Sequence, residues 1–99
     1  MRTEGRYLAE VRQITRQVLR GCDADVYLFG SWAMGTQRRT SDVDIAVDPH
    51  RPLPPGTLGV LRERLEESRI PYRVEVVDLR EVDRTFRQTV ITQGVRWIA

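Results

Sequence analysis

The residues that could do chemistry are gathered in one short stretch. Ten residues separate Ser31, of the pair Gly30-Ser31, from Asp42, which is followed two positions later by Asp44. The segment from Asp42 to Val47 alternates strictly, with Val43, Ile45 and Val47 facing one way and Asp42, Asp44 and Ala46 the other, as a half-buried strand requires. On such a strand both carboxylates leave the same face, roughly 6–7 Å apart at the backbone. Two unpaired carboxylates on a sheet face are costly unless a cation or solvent neutralises them. Hard oxygen ligands favour magnesium, which binds through one or two carboxylates together with substrate phosphates. Gly30-Ser31 ends the preceding strand; a glycine lets a phosphate approach the backbone, and a short helix after it aims N–H groups at that phosphate.

A third acid should come from another strand. Tyr72–Asp78 offers Glu75 and Asp78, which differ by three and so face opposite sides. Asp78 opens Asp78-Leu79-Arg80-Glu81, which has capping-box spacing, and is expected to cap a helix. Glu75 is therefore the expected third ligand. Three carboxylates against two magnesium ions about 3.5–4 Å apart is the charge pattern of a two-metal phosphoryl-transfer site.

The elements that must position these groups are legible as periodicities. Leu8, Val11, Ile14, Val18 and Leu19 predict an amphipathic helix over about Thr3–Leu19, with Gly21 able to end it. Val26–Phe29 reads as a strand stopped by Gly30. The prolines from Pro49 to Pro55, with Gly56, predict a loop. Thr57 is the expected N-cap of a helix to about Ser68. Tyr72–Val77 is the third strand; the helix expected from Asp78 carries Val82, Phe86, Val90 and Ile91 and closes at Gly94; Val95–Ile98 is a last short strand. The expected fold is α/β (α+β): a small mixed sheet of three to four strands with helices packed on one face.

Composition bounds the function. The 99 residues predict one domain, 1–99. There is no apolar run long enough to span a membrane and no apolar stretch behind the first residues to make a signal peptide. The single cysteine, Cys22, allows no intrachain disulfide, and these features together predict the cytoplasm. A net charge of +2 is too small to announce direct nucleic-acid binding, although all 16 basic residues are arginine.

The segment Gly30–Asp44 resembles the Gly-Ser-x10-Asp-x-Asp signature of the DNA-polymerase-beta-like nucleotidyltransferase superfamily. It is most similar to the minimal nucleotidyltransferase group, which includes antitoxins paired with HEPN-domain toxins. Gly30, Ser31, Ala33, Gly35, Thr36, Arg38, Ser41, Asp42 and Asp44 match the group's pattern, and Glu75-Val76-Val77-Asp78-Leu79 matches the strand of its third carboxylate. The resemblance implies the nucleotidyltransferase fold, metal binding by Asp42, Asp44 and Glu75, and nucleotide binding by Gly30, Ser31 and Ser41. It implies two Mg2+ ions, ATP as substrate, and transfer of AMP to a hydroxyl, that of a tyrosine in a HEPN-type toxin, within a hetero-oligomer. Trp32 and Met34 stand where the group commonly has arginine, and Glu75 replaces aspartate. One added methylene shifts the carboxylate by about an ångström, a displacement that can lower a rate about 100-fold. An antitoxin that neutralises its partner by binding alone is therefore the second reading.

Other residues draw plainer readings. Arg38 and Arg39 read as a solvated loop, His50 as a surface residue without acidic partners at ligand spacing, and Cys22 as a small hydrophobe or an exposed bystander. Trp32 could stack on a base or pack on the sheet; Trp97 could be core or a partner anchor.

Overall fold

The computed structural model describes residues 3–38 and 40–98. Along the chain run α1 (Thr3–Val18), β1 (Ala24–Phe29), α2 (Ser31–Met34), β2 (Val43–Pro49), α3 (Thr57–Glu66), β3 (Val74–Asp78), α4 (Arg84–Gln93) and β4 (Val95–Ile98). The four strands form one mixed sheet in the order β3-β2-β1-β4. β1 is antiparallel to both β2 and β4, whereas β2 and β3 are parallel. The parallel pair needs a crossover, and α3 supplies it. No helix among the described residues is long and apolar enough to cross a membrane.

The alternation read along β2 sets the main core. Val43, Ile45 and Val47 are fully buried and pack with Val26 and Leu28 of β1, Val76 of β3, Val11 of α1, and Leu61 and Leu65 of α3. The expectation that helices cover only one face is corrected here. α4 crosses the opposite face, where Val90 and Ile91 pack on Tyr27, Ala46 and Leu79. The reason lies in the middle of that face: Tyr27 and Ala46 are apolar between the acidic positions at either end of β2, so the centre of the face must also be buried.

Several boundaries move for local reasons. Pro49 is the last residue of β2, paired with Ala24, so the proline loop starts later than expected. β3 begins at Val74 rather than Tyr72. The N-cap of α3 is Gly56 in the left-handed region; Thr57 lies inside the helix, and its hydroxyl donates to the Pro54 carbonyl at 2.6 Å. Asp78 does not cap α4. It ends β3 on the helix-covered face and binds Arg80 at 2.8 Å, while Asp83 accepts the Phe86 N–H at 2.7 Å as the true N-cap. A capping box was written at 78–81, but an aspartate one turn later begins the helix.

Candidate active site

The sheet brings the predicted acids together. In register, Asp44 of β2 lies between Glu75 of β3 and Phe29 of β1. Alternation then places the Asp44 and Glu75 side chains on one face, side by side across a parallel pair. Asp42 is exposed just before β2 and two residues from Asp44, so it joins the same face. Among the described residues no arginine or histidine forms an ion pair with Asp42 or Asp44. The Asp44 carboxyl is held above its ordinary range, chiefly by burial, then by the charge of Asp42, then by that of Glu75. Such a cluster repels itself, and among the described residues its two aspartates meet no cation. Its donor set, three carboxylates at the open end of a sheet, fits a hard divalent ion.

Glu75 has one other partner. Its Oε2 lies 3.5 Å from Arg73 Nη2, and both side chains are well exposed, at 49% and 75%. A pair that open to water contributes about 0–1 kcal/mol and is readily exchanged for another cation.

Gly30 packs its backbone against the Asp44 side chain. Its φ of 75° and ψ of −154° lie in a region that only glycine populates freely. A methyl built there would overlap Asp44 Oδ2 and stand 3.3 Å from Asp44 Cγ. The sequence read this glycine as room for a phosphate; the structure adds that it is room for the aspartate. Ser31 opens α2; the Ala33 and Met34 N–H groups both donate to the Gly30 carbonyl at 3.1 Å, which leaves those of Ser31 and Trp32 without an acceptor in the helix. The short helix stops at Gly35, which is left-handed and donates its N–H to the Ser31 carbonyl.

Ser41 is placed as a brace. Its Oγ accepts the Arg38 N–H at 2.7 Å, and its carbonyl accepts the Trp32 Nε1–H at 3.3 Å. Trp32 is buried and meets Tyr72 edge-on, with ring centroids 4.9 Å apart. It is therefore a packing residue that ties the segment before Asp42 to the core, rather than an open platform for a base. Arg38 is exposed, as expected of a solvated loop; Arg39 lies outside the described residues. Cys22 is half-buried against the main core, as is Trp97, whose carbonyl accepts from Arg12.

Two features were not read from the sequence. Beside Gly30 lies an apolar recess of about 210 Å³ lined by Phe29, Met34, Phe86 and Val90. Phe29 and Phe86 meet edge-on at 5.7 Å. The pairing of residues 57 apart carries no local signal. The second feature corrects the reading of His50. Its Nε2 lies 3.0 Å from Asp25 Oδ2, and ligand atoms of Asp25, Asp48 and His50 fall within 4.8 Å of one another. Those acids are already matched: Arg87 of α4 holds Asp48 at 2.6 and 3.1 Å. This cluster stands at the other end of β2 from Asp44 and anchors α4.

Comparison with known proteins bears on the family and the fold. The sequence profile of the family described as "Polymerase beta, Nucleotidyltransferase" matches residues 24–98. The protein adenylyltransferase MntA of Shewanella oneidensis is 42% identical over 69 residues, which is 70% of this chain and 49% of that protein. The chain thus spans about half the length of that relative. Among solved structures, a chain of a toxin–antitoxin crystallised with AMP-PNP superposes with a TM-score of 0.67 at 34% identity, over 87% of this chain and 71% of that one. A chain in a structure of tri-AMPylated Shewanella oneidensis HEPN toxin in complex with MNT antitoxin gives 0.68 at 26% identity, over 96% and 71%.

Proposed function

This chain belongs to the polymerase-beta nucleotidyltransferase family, in its minimal group, and from that premise we propose that it transfers AMP from ATP–magnesium to a hydroxyl of a HEPN-type toxin and so acts as its antitoxin. The observation that carries the reading is Asp44, half-buried between Gly30 and Glu75, with its carboxyl held above the ordinary range and no cation paired with it among the described residues. Asp42, Asp44 and Glu75 would hold the magnesium ions, two by charge balance. When bound, those ions would neutralise the carboxylates and polarise the phosphoryl oxygens.

The remaining work falls to the chain itself. The glycine turn and the first N–H groups of α2 receive the triphosphate, with Ser31 at the turn. Ser41, braced by Trp32, fixes where Asp42 emerges. The acceptor oxygen, that of a tyrosine, bonds to the α-phosphorus; the bond to pyrophosphate breaks; the hydroxyl proton leaves to a carboxylate or to water.

The second reading, neutralisation by binding alone, is favoured by the Arg73–Glu75 contact, which turns the third acid toward an internal partner. Radiolabelled ATP separates the two. The enzyme labels the toxin with AMP in magnesium and not in chelator; the steric antitoxin binds the toxin equally well in both and labels it in neither.

A further inference from the structure

The sheet ends on one side at β3, and the hydrogen bonds of β3 show which of its groups are open. The Arg73 carbonyl accepts from Val43 N–H at 2.8 Å, and Leu79 N–H donates to the Val47 carbonyl at 2.9 Å. Every second residue therefore turns to β2, namely Arg73, Glu75, Val77 and Leu79. Val74 and Val76 point their backbone groups away from the sheet. Arg62 of α3 confirms the direction, since its Nη2 donates to the Val76 carbonyl at 2.9 Å from outside. At the far end the Asp78 carbonyl accepts the Glu81 N–H at 3.0 Å; among the described residues no other hydrogen bond reaches the outward backbone groups of Val74 and Val76. Uncovered edges invite another strand, and proteins commonly blunt them with charge or bulges. Here one exposed arginine covers one carbonyl.

Along the same edge runs a groove of about 590 Å³ between β3 and α3. Leu65, Ile70 and Tyr72 form its apolar wall, Arg62 and Glu66 its rim, and Glu75 its end at the acid cluster. The groove is thus continuous with the proposed active site. The opposite edge, β4, carries none of the three acids.

Resting on the reading above, we infer that the β3 edge binds the acceptor as an added strand: an extended segment of the toxin pairs with Val74 and Val76 and delivers its hydroxyl beside Glu75. Side chains of an added strand alternate, and strands lie about 4.8 Å apart. The residue level with Glu75 projects onto the acid face beside Glu75, about two strand spacings from Asp44, a gap that a long hydroxyl side chain must lean across. Its two neighbours project the other way, into the groove at Leu65, Ile70 and Tyr72. The acceptor is accordingly a hydroxyl residue flanked on each side by an apolar residue, in a segment free to extend.

The test is amide hydrogen exchange of the chain alone and with the Shewanella oneidensis HEPN toxin, read at single residues, with AMP transfer assayed on the same samples. The Val74 and Val76 amides slow at least about tenfold in the complex, the protection that one added hydrogen bond of about 1.4 kcal/mol gives. Val74→Pro removes an outward N–H and leaves the β2 ladder whole, so it weakens toxin binding about tenfold with ATP affinity unchanged. Absence of a complex, or a complex in which both amides exchange as in the free chain, overturns the inference even if Val74→Pro fails to fold. Protected amides without any AMP transfer leave the docking edge standing and remove the enzymatic reading instead.

Discussion

Replacing Gly30 by alanine probes the contact on which the site is built. Two costs follow from the structure. The backbone at φ 75° and ψ −154° costs a residue with a Cβ about 1–3 kcal/mol. The new methyl overlaps Asp44 Oδ2, and turning that carboxylate off its rotamer costs about 0.5–1.5 kcal/mol more. Together these reach about 1.5–4.5 kcal/mol, a drop in Tm of roughly 6–36 °C for a domain of this size. ATP affinity falls as well, at least about tenfold, or about 1.4 kcal/mol, because the turn no longer admits the triphosphate. The assay is thermal unfolding without nucleotide, followed by calorimetric titration with ATP and magnesium. Gly59→Ala is the control: Gly59 is helical with nothing within 4 Å, so it melts at or slightly above the wild type. Adding Asp44→Ala to Gly30→Ala removes the steric part and recovers about 0.5–1.5 kcal/mol in a double-mutant cycle. If Gly30→Ala melts with the wild type, the packing of this turn on Asp44 is refuted, and with it the geometry of the site.

Asp44→Asn abolishes AMP transfer yet raises Tm in the absence of nucleotide, because it removes the buried charge that Asp42 and Glu75 repel; labelling and melting read the two effects separately. Glu75→Gln greatly reduces transfer while Glu75→Asp keeps or raises it, and near-silence of both in the labelling assay would return Glu75 to a surface partner of Arg73. Arg87→Ala strands the buried Asp48 and costs about 1–3 kcal/mol by urea unfolding, a figure reduced by the partial exposure of the arginine. Asp78 is held below its ordinary value of 3.8, first by its side-chain bond to Arg80, so its contribution is full above 3.8 and disappears as pH falls toward the folded value; Arg80→Ala moves the acid limb of the melting profile to higher pH.

The parts of the fold that were legible are those carried by local periodicity. The alternation of Val43, Ile45 and Val47 gave the strand, its buried face and the direction of both aspartates. The opposite faces of Glu75 and Asp78 were legible because a three-residue separation on a strand reverses the face, and the parallel register sets Glu75 level with Asp44. The misreadings share another cause: each depends on a partner distant in sequence. Asp78 has capping spacing, but the tie to Arg80 and the burial at the end of β3 outweigh it. His50 meets Asp25 only because β1 and β2 pair antiparallel, with Ala24 opposite Pro49. The path of α4 across the acid face follows from Tyr27 and Ala46 sharing a register position, which no window on one strand reveals.

That path divides the acid face into two regions with opposite logic. Asp44 and Asp48 lie on one strand, on one face, four residues apart. Asp48 is 5% exposed and held by two hydrogen bonds from Arg87, so its charge is answered inside the fold. Asp44 is less buried, faces two like charges, and meets no cation among the described residues. Burying a carboxylate without a partner is unfavourable, and a sequence selected for stability alone would have placed an arginine, or an apolar residue, at both positions. The chain supplies that arginine at the end where α4 must be fastened, whereas among the described residues none pairs with Asp44 beside Gly30. The missing cation is thus confined to the place where a glycine turn and an open strand edge also converge, and an ion and a substrate arriving there would relieve a cost that the fold alone does not.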